Sequence, residues 1–290
     1  MRARLLPAQL ELGLLALYVL AWQAAKVPLQ APRSVAVAHA REWLAFERAH
    51  GLAIEHQLSS FAGRTDLGTA LLWSYQNLHL ATVFASIAAV RLLAPERYPW
   101  LRTTFVLLHL PVLAVTGLFP LAPPLALPGL VPARFAAASS GDATAPLSNV
   151  TAAAASIHFA WAACVAAAGV LLARRSRLAL VLLLYPLWNF LVIVGTGNHF
   201  VLDAVVGGAC FLAAAGVAAL LHRGAAAATP APGARAARIV AGTALIAYGI
   251  EAGSSTIGPH GTAVLATAVT LGALLVAPAR LAHRVHVLPR

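Results

Sequence analysis

Charge is what this chain has least of: Asp, Glu, Lys and Arg make up 10% of its 290 residues, against about 25% in a soluble globular domain. So few charged side chains cannot coat a water-exposed surface. Cysteine is nearly absent, and Cys164 and Cys210 both fall in apolar stretches without the spacing of a C-x-x-C metal pair. They read as inert packing residues. No glycine-rich nucleotide loop occurs, and no His or Cys cluster has zinc-site spacing, so neither energy coupling to a nucleotide nor a bound metal is expected. No cofactor is implied.

Apolar length is what the chain has in abundance. Hydrophobic residues reach 60% and mean hydropathy is +0.81. Runs near the roughly 20 residues that a spanning helix needs lie at about 8–27, 67–90, 103–121, 152–173, 178–196, 200–221, 237–252 and 262–279. They predict an all-α polytopic membrane protein. The first run follows Arg2 and Arg4, yet no small-residue cleavage site follows it before Lys26, so it reads as a retained helix rather than a secretory signal.

A net charge of +11 raises the question of nucleic acid, but the basic residues sit in short loops between apolar runs with no aromatic interleaving. Membrane topology accounts for them. With the amino terminus in the cytoplasm, alternate loops carry Arg91, Arg97 and Arg102, then Arg174, Arg175 and Arg177, then Arg223, Arg235 and Arg238. The carboxyl terminus with Arg280, Arg284 and Arg290 also falls inside. With Arg2 and Arg4, fourteen of the 20 Lys and Arg residues are then cytoplasmic, as the positive-inside rule expects. Residues 28–66, 122–151, 195–199 and 253–261 face outward. A plasma-membrane protein with both termini in the cytoplasm is expected.

Three units follow along the chain: a six-span core over residues 1–222, an Ala/Pro/Gly linker over 223–236, and a helix pair over 237–290 that shields the core or supports subunit association. Residues 34–62 mix Trp43, Leu44, Phe46, Leu52, Ile54, Leu58 and Phe61 with Arg41, Glu42, Glu47, Arg48, Glu55 and His56. That pattern is too polar to span and predicts an amphipathic segment on the outer surface. Residues 122–151, rich in Pro, Ala and small polar residues, predict a long external loop leading into the fourth span.

Two constellations carry chemistry. In Gly195-Thr196-Gly197-Asn198-His199-Phe200-Val201-Leu202-Asp203, a helix at about 3.6 residues per turn places His199 and Asp203 on one face, where the carboxylate holds one imidazole nitrogen. Ionisable residues at such a position are functional by default. The second, Asn149 through Ser156-Ile157-His158, opens the fourth span on the same outer side. One histidine attacks and the other protonates a leaving group, the division of labour that phosphoryl transfer through a phosphohistidine requires. Ser156 and the amides at Gly197 and Asn198 are candidates to hold phosphate oxygens. Ser156 equally suits a helix cap. Gln76, Asn77 and His79 fit interhelical hydrogen bonding, Trp73, Trp161 and Trp188 fit packing, and His50, His56 and His260 fit solvated surface. Glu251 suits pairing with His260 or lining a cavity, and a frayed helix end explains it equally well.

Ser156-Ile157-His158 resembles the second signature of the type-2 phosphatidic acid phosphatase superfamily, and His199-x-x-x-Asp203 resembles its third. The closer likeness is to the branch of inositol phosphorylceramide synthases and their bacterial relatives. Asn149, seven residues before Ser156, and Thr196-Gly197-Asn198 before His199 fit that branch, as does Phe119-Pro120-Leu121-Ala122-Pro123-Pro124 after the third span. The resemblance covers about residues 40–220. It implies a six-helix membrane core with its site at the outer surface, acting without metal on a membrane lipid phosphate or polyprenyl diphosphate, with water or an alcohol as acceptor. It makes His199 the nucleophile, Asp203 its orienting carboxylate and His158 the general acid.

The chain departs from that family at three places: Leu125 stands where the branch has arginine, Ala155 where it has proline, and Ile193 where the wider superfamily has arginine. Cationic clamps stabilise a phosphoryl group in transit, so Arg134 in the external loop is the candidate replacement, with Arg64 or Lys26 behind it. Helix amino termini at Ser156 and Asn198 also offer amides to an anion. Two readings result, a lipid-phosphate phosphatase or phosphotransferase and a catalytically weakened relative that binds a lipid or a protein. A transporter ranks below both, since the spans show no inverted repeat.

Overall fold

The computed structural model describes residues 6–140, 150–173 and 177–222. The linker and helix pair expected over 223–290, and Asn149, lie outside the described residues. Within them the protein is helical, with one isolated backbone bridge between Leu121 and Ala152.

Helix α1 (Ala8–Lys26) leads to two helices too polar to span, α2 (Arg33–Ala49) and α3 (Glu55–Gly63). The segment expected as one amphipathic stretch over 34–62 is thus broken, by a turn in which Gly51 takes φ 69°, a left-handed conformation that glycine adopts without strain. Helices α4 (Asp66–Trp73) and α5 (His79–Leu93) form one long span joined by a π-helical turn at Ser74–Leu78. Helices α6 (Tyr98–Leu107) and α7 (His109–Leu118) form the next. Their joint at Leu108 follows from Pro111, which has no N–H for the Leu107 carbonyl; beside it the His109 ring nitrogen Nδ1 lies 2.7 Å from the Phe105 carbonyl. The external loop expected over 122–151 contains a short helix, α8 (Ala133–Ser140). Helix α9 (Ile157–Leu172), a 3-10 segment at Arg177–Leu184, α10 (Tyr185–Gly195) and α11 (Val201–Leu221) complete the described chain.

Four segments, Ala8–Leu29, Asp66–Leu93, Tyr98–Leu118 and Val201–Leu221, are long and apolar enough to cross a membrane, and the shorter apolar helices Ile157–Leu172 and Ala179–Gly195 pack among them. Helix α9 sits at the centre, against α5, α6, α10 and α11. Its buried Ala160, Ala162, Ala168 and Gly169 let neighbours approach closely. The same logic operates at Gly207 of α11, where a β-carbon would lie 2.3 Å from the Ser156 carbonyl. No larger side chain fits there.

The two ends of the bundle differ chemically. At one end Glu11, buried on α1, pairs with Arg91 of α5 at 3.1 Å and with Arg102 of α6, Arg97 donates to the Leu171 carbonyl at 3.0 Å, and Thr103 meets His222 at 2.8 Å. The other end holds the carboxyl ends of α1, α7 and α10 and the amino ends of α9 and α11. A separate apolar cluster ties that end together: Ala36, Ala40 and Leu44 of α2 pack with Leu121, Leu127, Leu130, Ala153, Ala154 and Phe200. Apolar side chains such as Leu17, Leu110, Leu118, Leu212 and Leu220 remain exposed, the pattern of a lipid-facing surface rather than of a water-soluble one.

Candidate active site

His158 and His199 meet at the end of the bundle opposite the Arg91 and Arg102 cluster. His158 is the second residue of α9, whose N-cap is Ser156; the Ser156 hydroxyl accepts a hydrogen bond from the Phe159 N–H at 3.2 Å. That cap leaves the Ile157 and His158 amides as first-turn donors. His199 arrives on the turn between α10 and α11. Gly197 permits the turn with φ 73°, and a β-carbon there would also strike the Val131 side chain at 2.5 Å. The His158 Nδ1 lies 3.3 Å from the His199 Nε2, with ring centroids 5.5 Å apart.

Asp203 completes the line. The His199 Nδ1 is 3.3 Å from the Asp203 Oδ2 and 3.3 Å from the Ala153 carbonyl. Both neighbours only accept, so the network assigns the ring proton to Nδ1 and a lone pair to Nε2. The pair does not arise as one turn of helix, as the spacing suggested. His199 precedes the N-cap Phe200, while Asp203 is the third residue of α11 and reaches back to accept the Phe200 N–H at 2.9 Å. The cap geometry, not the helical repeat, brings the carboxylate to the ring. The Ser156 N–H donates to the Asp203 carbonyl at 3.0 Å, which ties the amino ends of α9 and α11 to each other. Ser156 and Asp203 are fully buried.

The expected phosphate cradle is arranged differently. Gly197 N–H donates to the Val194 carbonyl, and Asn198 N–H and His199 N–H both donate to the Ile193 carbonyl, at 3.0 to 3.1 Å. The Asn198 amide donates to the Thr196 hydroxyl at 2.8 Å. These backbone donors close the turn and are not turned toward an anion. Arg134 likewise is not brought to the histidines by its hydrogen bonds: its guanidinium caps α3, donating to the Ala62 carbonyl at 2.9 Å and the Thr65 carbonyl at 3.4 Å. Lys26 is better placed. Its ammonium lies 4.4 Å from the centre of the Trp22 ring, and Trp22 packs against His109 and against Trp161, one turn along α9 from His158.

Other residues surround the histidines, and of these His79 makes the interhelical hydrogen bonds expected of it while the rest escaped the sequence reading. His79 packs against the His158 ring at 5.1 Å, while its Nδ1 lies 2.9 Å from the Tyr185 hydroxyl and 3.1 Å from the Asn189 side-chain amide. Tyr75, in the π-helical turn, packs against His158 from 5.0 Å. Such turns are frequent at functional sites, but hydropathy does not reveal them. Glu47 and Glu55 accept the Leu202 and Val201 N–H groups of α11 at 2.7 and 3.1 Å. Glu47 was legible in part: it falls on the stripe Ala36, Ala40, Leu44, Glu47 that α2 buries. Among the described residues no group of three or more His, Cys, Asp or Glu side chains is arranged to hold a metal ion.

An imidazole whose Nδ1 proton is held by a buried carboxylate, with a lone pair on Nε2 and a second imidazole within hydrogen-bond reach, is equipment for transferring an electrophilic group. The PAP2 superfamily model matches residues 41–218. The chain belongs to the PAP2 superfamily. The match begins in α2 and ends in α11, so Glu47, Glu55, His158, His199 and Asp203 fall inside the PAP2 region while Lys26 of α1 precedes it. PAP2 membership points to phosphatase or phosphotransferase activity on lipid phosphates in a membrane protein. No curated protein and no solved structure matches the chain.

Proposed function

We propose that this PAP2 protein is a multi-pass plasma-membrane enzyme with a six-span core that takes phosphate from a lipid phosphate or polyprenyl diphosphate through a phosphohistidine. The observation that carries the reading is the line Asp203, His199, His158, with both gaps at 3.3 Å. The positive-inside rule puts the Arg91, Arg97 and Arg102 end in the cytoplasm and the histidines at the outer face.

In the first step the His199 Nε2 lone pair forms the N–P bond while the bond from phosphorus to the leaving oxygen breaks. The electron pair goes to that oxygen, and protonated His158 gives it a proton. Asp203 holds the Nδ1 proton and balances the positive charge that grows on the ring. In the second step an oxygen of water or of an alcohol attacks phosphorus, its proton passes to His158, and the N–P electron pair returns to Nε2. Phosphorus does not fit between nitrogens 3.3 Å apart, so the rings separate as substrate enters.

One observation favours the second reading, a weakened relative that binds lipid or protein. Leu125 and Ile193 replace family arginines, and Arg134 is engaged at α3. The enzyme reading meets this with Lys26 and with the first-turn amides of α9. The deciding experiment is phosphate release from phosphatidate, a polyprenyl diphosphate and a phosphosphingolipid by purified protein in detergent with EDTA, alongside His199→Ala. Release that survives EDTA and vanishes in the variant is expected, with a transfer product when alcohol acceptors replace water. Equal silence of both proteins, with no transfer product, hands the site to the binding reading.

A further inference from the structure

The first turn of α11 is capped by three carboxylates from three helices. Phe200 N–H goes to Asp203, Val201 N–H to Glu55 of α3 at 3.1 Å, and Leu202 N–H to Glu47 of α2 at 2.7 Å. One short polar side chain is enough to cap an ordinary helix. Here Glu47, Glu55 and Asp203 are all fully buried, and among the described residues each keeps one oxygen, Glu47 Oε2, Glu55 Oε2 and Asp203 Oδ1, that receives no donor. Three full negative charges in one dry corner are opposed by a helix amino terminus worth about half a charge. Like-charged carboxyls that share a buried site cannot all ionise.

We propose that Glu47 and Glu55 hold one proton between them and act as positioning residues for His199, clamping α2 and α3 onto the turn that presents the nucleophile and Asp203. The role rests on the phosphohistidine reading above. A proton between the two free Oε2 atoms removes one charge, satisfies both orphaned oxygens, and leaves each Oε1 to its α11 amide. Burial pushes the Glu47 carboxyl up to about 9, aided by the neighbouring Glu55 and Asp203 carboxyls and opposed by the Leu202 N–H. The groups that face the pair are Asp203 on the core side and, on the solvent side, Arg48 and His56, which with Glu55 line an open cavity of about 470 Å³. The loop over the pair, Leu127 to Leu130, carries no titratable side chain.

The sign of the pH dependence follows. The folded protein keeps this proton between the ordinary Glu range near 4.3 and about 9, where the unfolded chain has lost it. The pair's contribution to stability is therefore complete below that ordinary range and is lost as pH rises toward 9. Above it, repulsion between two ionised carboxylates loosens the turn under His199.

The test compares wild type, Glu47→Gln, Glu47→Ala and His199→Ala. Glutamine keeps an acceptor for Leu202 and supplies a permanent N–H in place of the shared proton. Glu47→Gln is expected to match wild-type kcat within about threefold at neutral pH and to hold it into the alkaline range where wild type falls, since only removal of the clamp misplaces the nucleophile. Glu47→Ala is expected to lose about 10²-fold in kcat with KM little changed, the cost of roughly an ångström of misplacement. Infrared spectra should show a protonated carboxyl carbonyl band at neutral pH in wild type and in His199→Ala, absent from Glu47→Gln. Wild-type kcat in Glu47→Ala, an alkaline limb that persists in Glu47→Gln, or no such band in wild type overturns the proposal. If wild type is as silent as His199→Ala, the phosphohistidine reading fails and takes the positioning role with it, while the infrared band still decides the shared proton.

Discussion

Replacing Asp203 with asparagine separates what this carboxylate does for the fold from what it does for the chemistry. The Asp203 Oδ2 accepts two N–H groups, from Phe200 at 2.9 Å and from His199 at 3.3 Å. An amide oxygen in its place still accepts both, so the cap survives and the helix starts where it did. What disappears is the full negative charge beside the ring. When His199 attacks, the ring gains nearly a unit of positive charge, and Coulomb's law at the 3.3 Å separation, with an effective dielectric constant of about 20, gives about 5 kcal/mol. The amide dipole recovers part of this, leaving a net loss of about 3 kcal/mol, between 10² and 10³ in rate.

The charge matters only once the ring is cationic, so the loss is expected in kcat and kcat/KM together, with KM little changed. Phosphate release at saturating substrate measures it, and a thermal unfolding scan of the same preparation measures the fold. Asp203→Asn is expected to unfold within a few degrees of wild type, whereas Asp203→Ala also gives up the cap, at about 1 kcal/mol. Wild-type kcat within threefold in Asp203→Asn would refute the argument, because it would mean that no positive charge develops on His199.

Two further predictions concern cations. Lys26→Ala is expected to lower kcat/KM at least about tenfold through loss of a positive charge at the histidine end of the bundle, while Arg134→Ala stays within threefold in turnover and loses about 1 kcal/mol of stability as the Ala62 and Thr65 carbonyls lose their donor; equal turnover losses in the two variants would reverse that assignment. At the opposite end, Glu11→Ala strands Arg91 and Arg102 and is expected to cost about 3 kcal/mol, read as a lower unfolding temperature with phosphate release per folded molecule unchanged.

Four of the eight apolar runs fall on helices long and apolar enough to cross a membrane, because a bilayer imposes length and apolarity on consecutive residues; the runs at 152–173 and 178–196 fall on shorter helices, and the last two lie outside the described residues. The expected 8–27, 67–90 and 200–221 lie within a few residues of Ala8–Leu29, Asp66–Leu93 and Val201–Leu221. The helix on the fourth run, α9, starts at Ile157 rather than 152 because Ser156 is its N-cap, which composition does not reveal. His158, His199 and Asp203 were singled out because each lies in a short motif, and the structure brings the three side chains together. Local spacing also misled: it suggested that Asn198 and Gly197 offer amides to phosphate, but whether an amide is free depends on Ile193 and Val194 carbonyls that close the turn. Glu55 looks like an ordinary polar residue of a surface helix and Glu47 is marked only by the stripe that α2 buries; their hydrogen bonds to α11 show that both point inward. Arg134 stood in the right loop, yet its direction depends on where α3 ends.

If this PAP2 chain acts through a phosphohistidine, the positive charge at the histidines must come from somewhere other than arginines at 125 and 193. Helix α11 cannot serve the substrate, since Asp203, Glu55 and Glu47 already take its Phe200, Val201 and Leu202 N–H groups. The burden falls on α9, whose Ser156 cap takes the Phe159 amide and leaves those of Ile157 and His158. To these the chain adds Lys26, from a helix outside the matched PAP2 region, and whatever proton His158 carries. A guanidinium is charged at every working pH, whereas an imidazole is charged only in part. A site that relies on His158 for both phosphate charge and leaving-group protonation should therefore lose phosphate affinity and turnover together as that ring deprotonates. A site with its arginines intact would lose turnover first and keep its affinity.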